Sequence, residues 1–472
     1  MRRLCVLLLG LAATATAQPA DSVTERQRSV EAGLLPSVTA VGERHGVRER
    51  MARYDVPGLS VAVVRGGHVD WAQGYGRRAA GGADSVTTST LFQAASISKP
   101  LTAALALRLA DQGRLSLDAD LGTLLRSWTI PPTLHTRGRP PTLRDALRHS
   151  AGFTVGGFPG YAVGDSIPSA VGVLEGRGNT PAVRVDTIPG TLYRYSGGGY
   201  VAAQVAIEEV VGAPFVDVMA REVLWPLGMT RSTFAQPLPA RLADDVAQAH
   251  DEAGAPVPGG WHVYPEIAPA GLWSTPTDVA RFALDLRAAY LGEPGALLAP
   301  ETARAMLTTD ALGAGIGLQV AEAEGGPLFL HTGSNEGYKA IMVLYAGTGD
   351  GAVVMTNGEN GGDLMMEVLR AVSAAYGWPN FRSRTYEPVA VDPATLDRLV
   401  GTYTFVEFPE YHVGIERAGA GLAVVWPEEP PARLVAASPT EFYVEAEGTA
   451  LVFDADGSGL LWDGEDRAER AD

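Results

Sequence analysis

The chain has 472 residues, of which 46% are hydrophobic and 19% are charged, a balance typical of a globular protein with two or three domains rather than of a disordered one. Its formal net charge of −17 argues against nucleic acid and anionic membrane surfaces as partners. The single cysteine, Cys5, lies in a predicted leader, so we expect no disulfide in the mature chain.

Residues 1–17 resemble a secretory leader. Arg2 and Arg3 form a basic start, an apolar run follows, and small residues ending at Ala17 offer a cleavage site. The apolar run is too short to remain in a bilayer, and no other stretch of about 18 apolar residues follows it. We therefore predict export to the periplasm or the extracellular space without a stable membrane anchor. The sequence leaves the oligomeric state open.

Periodicity and turn residues predict an α/β protein in which strands come from both ends of the main domain. In chain order the predicted elements are a charged helical segment at 25–55, a hairpin around Gly66-Gly67, a helix from Ser96 to about Ala110, a helix at 142–149, loops at 154–190, helices at 200–211, 215–227 and 276–290, strands at 327–331, 339–345 and 351–356, and a helix at 363–376. The strands are predicted to form one antiparallel sheet around a largely helical middle.

A proline-containing change of texture near residues 382–392 predicts a linker. Beyond it, short strand patterns at 401–405, 421–426, 441–445, 450–453 and 460–462 alternate with turns and predict a small antiparallel barrel or sandwich. We therefore divide the chain into the leader at 1–17, a main domain at 18–385 and a C-terminal β domain at 392–472. The segment from Asp454 to Glu465 matches a calcium-loop pattern, but its strand-like flanks favour a hairpin turn.

The segment around Ser96 carries the first candidate for catalysis. Ser96 and Lys99 lie three residues apart in a predicted helix and therefore share one face. A serine hydroxyl needs a neighbour that takes its proton, and a lysine can do so when burial beside a helix N-terminus destabilises its ammonium. The chain holds one other lysine, Lys339, so a lysine retained here favours catalysis. The alternative is an ordinary helix start with an exposed lysine.

Two further segments offer partners for this serine. Tyr195 precedes a glycine loop and can act as a base if a nearby cation lowers its pKa; the alternative is buried aromatic surface beside a tight turn. The segment His331-Thr332-Gly333-Ser334 ends a strand, and the edge of such a strand can present a backbone N–H to an oxyanion. The alternative there is a strand end that turns through glycine.

Taken together, Ser96-x-x-Lys99, Tyr195-Ser-Gly197 and His331-Thr-Gly333 resemble the serine β-lactamase and penicillin-binding protein family, closest to its class C-like branch of esterases, D-aminopeptidases and DD-peptidases. Further matches lie at 147–153, 226–229 and 270–278, which are scaffold segments in proteins of this family, and the resemblance covers about residues 45–378. It implies an antiparallel sheet flanked by helices with an all-helical lobe. The C-terminal β domain resembles the lipocalin-like domain that some of these hydrolases carry.

The resemblance also assigns roles to residues. It implies Ser96 as the acylated nucleophile and Lys99 with Tyr195 as the proton-transfer pair, with the choice of base between them open. The oxyanion would be bound by the backbone N–H groups of Ser96 and Ser334. The residues implied in substrate binding are Gly197, His331, Thr332 and Gly333. Neither a metal nor an organic cofactor is implied, and no zinc motif occurs.

Two departures from the family pattern bear on the substrate. Gly197 stands where the family usually has asparagine, and His331 stands where it usually has lysine, a stronger cation for a substrate carboxylate. Both changes weaken the case for efficient β-lactam hydrolysis, so we expect a small ester or a short peptide with D-residues. The alternatives are a β-lactamase or DD-peptidase that acts on cell-wall peptides, or a non-hydrolysing penicillin-recognising module. Retention of Ser96 and Lys99 favours an enzyme.

Overall fold

The computed structural model describes residues 22–427 and 430–471. The predicted leader at 1–17 lies outside the described residues. Within those two ranges, no helix combines the length and the apolar character needed to cross a lipid bilayer.

A six-stranded antiparallel sheet, here called the central sheet, forms the middle of the main domain. In spatial order its strands are His68–Gly76, Gly58–Arg65, Gly351–Thr356, Tyr338–Tyr345, Leu328–Asn335 and Gln319–Ala321. The first two strands come from the beginning of the domain and the other four from its end. This arrangement confirms the predicted sheet.

The strand Gly58–Arg65 is covered on both faces, and its alternating side chains enter two different cores. Val61 and Val63 pack in a core that also contains apolar side chains of the helices Val23–Glu31 and Gly361–Tyr376. Ala62 and Val64 face the larger core shared with the helical lobe. A strand that is buried on both faces has a nearly continuous apolar sequence, which explains the apolar run in Gly58–Arg65.

The helical lobe is built around the helix Gly197–Val211, against which its neighbours pack. The other helices of the main domain are Val47–Arg53, Ser98–Asp111, Leu121–Leu124, Leu143–Leu147, Ala170–Leu174, Phe215–Met219, Ile267–Ala270, Pro276–Leu291 and Pro300–Met306, with short 3₁₀ helices at Leu134–Thr136 and Ala240–Asp245. Two short antiparallel pairs join Phe92–Ala95 to Leu272–Ser274 and Tyr161–Ala162 to His262–Val263. The predicted sheet with an all-helical lobe is therefore confirmed.

The prediction of a helical segment over residues 25–55 is wrong for the middle of that segment. The segment forms two helices, Val23–Glu31 and Val47–Arg53, with the strand Val38–Ala40 between them. That strand pairs in parallel with Arg384–Tyr386, more than 300 residues further along the chain. Local periodicity cannot show a pairing of this kind because the partner is remote in sequence.

The helix predicted over residues 215–227 is also shorter than expected. It runs over Phe215–Met219 and continues as a wider π-helical turn at Ala220–Leu224. The N–H of Trp225 donates to the carbonyl of Ala220, five residues back. Such bulges interrupt a helix without changing its apolar pattern, so sequence periodicity does not reveal them.

The C-terminal domain is a closed antiparallel barrel of eight strands, which confirms the predicted β architecture. Its strands are Gly401–Phe405, His412–Ala418, Gly421–Val425, Ala432–Ala436, Glu441–Val444, Ala450–Phe453, Gly459–Trp462 and Asp466–Arg470. The helix Pro393–Leu399 precedes the barrel, and its Leu396 and Leu399 enter the barrel core.

The strands at 412–418, 432–436 and 466–470 had no counterpart in the sequence interpretation. Charged residues on their outer faces hide the alternation that marks a half-buried strand. Asp454 begins the turn between two barrel strands, and its carboxylate accepts hydrogen bonds from the guanidinium of Arg467. The segment is a hairpin, as the sequence favoured.

Candidate active site

Ser96 lies in a tight connection between the strand Phe92–Ala95 and the helix Ser98–Asp111. The helix begins two residues later than predicted. Ala95, the last residue of the strand, adopts a left-handed backbone conformation with φ of +50°. The Ser98 hydroxyl donates to the carbonyl of Ala95 at 2.6 Å and holds this turn. A left-handed backbone conformation at a residue other than glycine costs free energy, and it is retained where the fold or a site requires it. Here it presents Ser96 at the base of a cleft.

The Lys99 side chain contacts the Ser96 side chain, although Ser96 lies outside the helix. The Lys99 N–H donates to the Ser96 carbonyl at 3.0 Å and closes a turn that brings the two side chains together. Lys99 Nζ lies 2.9 Å from Ser96 Oγ and 3.1 Å from the carbonyl oxygen of Pro269. The side chain is 2% exposed, and burial lowers the pKa of the Lys99 amine to about 7. At neutral pH a large share of this amine is therefore uncharged and able to accept a proton.

Tyr195 completes the group. Its ring centroid lies 4.7 Å from Lys99 Nζ, and the residue precedes Ser196, which caps the helix Gly197–Val211. Burial raises the pKa of the Tyr195 phenol to about 12, while a hydrogen bond with the Ser96 side chain opposes this shift. The phenol therefore stays protonated at neutral pH. The structure thus brings Ser96, Lys99 and Tyr195 to one point, as their predicted roles require.

His149 joins this group, although the sequence analysis treated its segment only as scaffold. Its ring packs against the Tyr195 ring with centroids 4.3 Å apart and planes tilted by 32°, and its Nδ1 accepts the backbone N–H of Ser196 at 3.0 Å. Its backbone is left-handed, with φ of +60°. Burial, with Lys99 adding to it, lowers the pKa of His149 well below its usual value, so the ring is neutral. The only sequence signal was its place in the segment 147–153.

Along the end of the strand Leu328–Asn335, residues exposed toward the cleft alternate with buried residues. Thr332 and Ser334 are exposed toward the cleft, whereas His331 is 5% exposed and its Nδ1 lies 2.6 Å from the Thr332 carbonyl. Burial, and then the neighbouring Lys99, lowers the pKa of His331 to about 3. His331 therefore lies behind the cleft as a neutral ring, 6.4 Å from the Tyr195 ring.

Gly333 and Gly197 are required by close packing. A Cβ at Gly333 would lie 2.2 Å from the carbonyl oxygen of Ala94, so this strand approaches Ser96 only with glycine at this position. A Cβ at Gly197 would lie 2.5 Å from Cε2 of Phe158. The Phe158 ring thus takes the place of a side chain at 197. Neither glycine lines the cleft directly.

The cleft, here called the Ser96 cavity, has a volume of 390 Å³. Its lining residues come from five segments: Ser96, Lys99, Gly156, Gly157, Phe158, Tyr195, Pro269, Ala270, Thr332, Ser334 and Asn335. Among the described residues of the chain, no group of three or more His, Cys, Asp or Glu side chains is arranged to hold a metal ion. The chemistry available in the cavity is that of a hydroxyl, an amine and a phenol.

Lys339 lies just outside the cavity. It is the cross-strand partner of Ser334, and its Nζ donates to the Ser334 hydroxyl at 2.9 Å. The same ammonium is paired with the carboxylate of Glu359, whose other oxygen accepts the N–H of Gly337. The second lysine of the chain is therefore an ion-pair partner at the rim.

Comparison with known proteins agrees with this geometry. A sequence model described as Beta-lactamase matches residues 44–376. The chain is 28% identical over 383 residues to Penicillin-binding protein 4 of Amycolatopsis lactamdurans, an alignment that covers 74% of this chain and 93% of that protein. It is also 29% identical over 216 residues to a beta-lactamase of Pseudomonas fluorescens, which covers 45% of this chain and 54% of that protein.

Two solved structures share the fold. The octameric penicillin-binding protein homologue from Pyrococcus abyssi superposes with a TM-score of 0.62 at 22% identity, covering 90% of this chain and 98% of that one. The D-alanine carboxypeptidase AmpC from Burkholderia cenocepacia gives a TM-score of 0.53 at 19% identity and covers 68% of this chain and 95% of that one. The second alignment covers less of this chain than the first does.

Proposed function

The chain belongs to the beta-lactamase family and is a serine hydrolase of the beta-lactamase and penicillin-binding protein kind, and we propose that it hydrolyses small esters or short D-amino-acid-containing peptides through an acyl-enzyme on Ser96. The observation that carries this proposal is the Lys99 amine, 2.9 Å from Ser96 Oγ, with a pKa lowered to about 7. A general base works best when its pKa lies near the working pH. An export signal at residues 1–17 would place the activity in the periplasm or outside the cell.

Lys99 is the base in this proposal. Its amine is partly uncharged at neutral pH, whereas the Tyr195 phenol would have to ionise from a pKa of about 12. The Ser96 proton passes to Lys99 Nζ while Oγ forms a bond to the substrate carbonyl carbon. When the carbonyl re-forms, the bond to the leaving alcohol or amine breaks. The leaving group takes its proton from the Tyr195 hydroxyl, which the Lys99 ammonium replenishes.

Deacylation runs through the same groups. Water attacks the acyl carbon and gives a proton to the neutral Lys99 amine, and the carbon–Oγ bond breaks as Ser96 regains its proton from the ammonium. The backbone N–H groups of Ser96 and Ser334 are proposed to bind the oxyanion in both steps. Support for this pairing is that both residues line the Ser96 cavity.

The direct test offers three substrates to the purified protein: a chromogenic short-chain ester, a D-alanyl p-nitroanilide and a chromogenic cephalosporin. Turnover of the first or second, lost by about 10⁴-fold or more in Ser96→Ala, is the expected result. Equal rates in Ser96→Ala would remove Ser96 from the mechanism. Mass spectrometry of the reacted protein would locate the acyl group.

The second candidate is a penicillin-recognising function, either as a β-lactamase or DD-peptidase or as a non-hydrolysing binder. The observation that favours it is the similarity to Penicillin-binding protein 4 along 93% of that protein. A single burst of cephalosporin acylation on Ser96, with no turnover of either other substrate, would support the binder. Sustained cephalosporin turnover would support the β-lactamase.

A further inference from the structure

We propose that Phe158 is the specificity-determining residue of the Ser96 cavity and that it selects ester substrates carrying an apolar alkyl or aryl group. This inference rests on the proposed function and narrows its substrate class. Three features of the molecule support it: the position of the Phe158 ring, the hydrogen bonds that hold its loop, and the chemistry of the cavity wall.

The ring of Phe158 occupies a place that the neighbouring helix leaves free. Phe158 lines the Ser96 cavity together with Gly156 and Gly157. Its Cε2 and Cδ2 atoms stand 2.5 and 3.3 Å from the point where a Cβ on Gly197 would lie. Because real Cβ atoms do not approach other heavy atoms to 2.5 Å, the ring and a side chain at 197 exclude each other. The aromatic wall formed by Phe158 therefore lies beside Gly197.

The loop that carries Phe158, residues 154–158, is held firmly against the segment 196–198. The Ser196 hydroxyl donates to the carbonyl of Thr154 at 2.9 Å. The N–H of Gly197 donates to the carbonyl oxygen of Gly156 at 3.0 Å, and the N–H of Gly198 donates to the carbonyl oxygen of Val155 at 3.0 Å.

Val155 itself is left-handed, with φ of +65°. A β-branched residue in this region is strained, and such strain persists only where the surroundings impose it. Three hydrogen bonds thus anchor residues 154–156 of the loop, immediately before Phe158. That anchoring favours a defined wall of the cavity over an accidental contact of a flexible loop.

The rest of the lining supplies few groups for a charged or amide-rich substrate. Among the described residues that line the cavity, Lys99 is the single Lys, Arg, His, Asp or Glu, and it is held by Ser96 and Pro269. The side-chain amide of Asn335 donates to Gln93 at 2.6 Å and to the carbonyl of Ala270 at 3.2 Å. Its N–H groups are therefore engaged by the protein.

What remains is an aromatic wall from Phe158 and a polar wall from Thr332 and Ser334. A neutral ester fits this combination. Its carbonyl can lie against the polar wall, and contact with the Phe158 ring stabilises its apolar group by removing apolar surface from water. A peptide would bring additional N–H and C=O groups to the Phe158 side, where the lining loop contributes Gly156, Gly157 and the Phe158 ring and no polar side chain. Burying those groups unpaired is unfavourable. The cavity therefore favours an ester with an apolar substituent over a peptide.

The experiment compares methyl acetate, methyl phenylacetate and benzyl acetate, with acid release followed by pH-stat titration. The last two place an aromatic group on the acyl side or on the alcohol side. We expect the wild type to prefer one of them to methyl acetate by about 10-fold or more in kcat/KM, and Phe158→Ala to remove that preference while changing methyl acetate by less than about threefold. Which aromatic ester is preferred shows whether the ring contacts the acyl or the alcohol group.

Three control variants separate specificity from folding. Phe158→Leu keeps an apolar wall and should retain part of the preference. Phe408→Ala makes the same chemical change in an exposed loop of the barrel and should leave all three rates unaltered. Gly197→Ala should displace the Phe158 ring and so remove the preference for the aromatic ester. The double variant, Gly197→Ala with Phe158→Ala, should have nearly the same preference as Phe158→Ala alone.

A second measurement does not depend on turnover. Boronic acids bind an active serine by forming a bond from its oxygen to boron. Calorimetry should show phenylboronic acid binding more tightly than methylboronic acid to the wild type, and Phe158→Ala should remove that difference. Equal losses for all esters in Phe158→Ala, or an unchanged preference and an unchanged boronate difference, would overturn the inference while Ser96-dependent hydrolysis persisted. Loss of the proposed function would appear separately, as ester turnover that Ser96→Ala does not abolish.

Discussion

The two lysines of this chain have opposite surroundings. Lys99 is 2% exposed, its amine contacts only a hydroxyl and a carbonyl oxygen among its hydrogen-bond partners, and its pKa falls to about 7. Lys339 lies at the rim of the same cavity and is paired with the carboxylate of Glu359. Burial without a neighbouring carboxylate turns an ammonium into a base, whereas an ion pair keeps it a cation. The predictions below test this contrast, from the largest expected effect to the smallest.

Replacing Lys99 should abolish most activity. In Lys99→Met the buried space stays filled but no group accepts the Ser96 proton, so kcat/KM for the preferred ester should fall by about 10³-fold, within the range for loss of a general base. Steady-state kinetics measures this effect, and circular dichroism checks the fold. A loss smaller than tenfold would show that Lys99 is not the base.

The pH profile should report the Lys99 pKa. Below about pH 7 the amine is protonated and cannot accept the Ser96 proton, so kcat/KM should fall about tenfold per pH unit on the acidic side and level off above pH 8. Initial rates between pH 5 and 9 provide the measurement. An acidic limb centred near pH 5, or activity that rises only toward pH 12 as Tyr195 ionises, would contradict the assignment.

Stability should also depend on pH through the same group. In the unfolded chain the lysine keeps its proton up to about pH 10.5, whereas in the folded protein it loses it above about pH 7. The unfolded state therefore binds more protons between these values, and the free energy of unfolding should rise with pH by about 1.4 kcal/mol per unit relative to Lys99→Met. Urea unfolding at pH 7, 8 and 9 measures the slope. Identical slopes for both proteins would show that the amine keeps its charge when folded.

Replacing Lys339 should have the smallest effect. Because its ion pair with Glu359 is partly exposed to solvent, Lys339→Met should change the free energy of unfolding by less than about 1 kcal/mol and kcat/KM by less than about threefold. The same kinetic and urea assays apply. A loss as large as that of Lys99→Met would mean that both lysines take part in the chemistry.

The architecture was largely predictable from the sequence because its determinants are local. The apolar run of Gly58–Arg65, the alternating strands near the end of the main domain and the turn-rich C-terminal segment each carry their own periodicity. The parallel pairing of Val38–Ala40 with Arg384–Tyr386 was missed, since hydrogen bonding between remote segments leaves no local pattern. The three unpredicted barrel strands were missed because charged outer faces hid their alternation.

Within the candidate site, the sequence by itself determined which chemical groups are available: Ser96, Lys99, Tyr195 and the strand that ends at Ser334. It left the base open between Lys99 and Tyr195, and it left His149 as scaffold. Tertiary structure supplies what bears on these points: burial lowers the pKa of Lys99 to about 7, raises that of Tyr195 to about 12 and lowers that of His149, because a pKa depends on burial and on neighbours that come from other parts of the chain. It also decided that His331 is a neutral ring behind the cavity.

The sequence also showed that position 197 is glycine, but not what fills the space. Only the folded chain shows that the Phe158 ring fills it, held by hydrogen bonds between residues 154–156 and 196–198. Residue identity determines which reactions a chain can support, since it fixes the functional groups. Packing determines which of those groups are charged, which are reachable and what shape they surround, because burial and contact arise between segments that the sequence lists far apart.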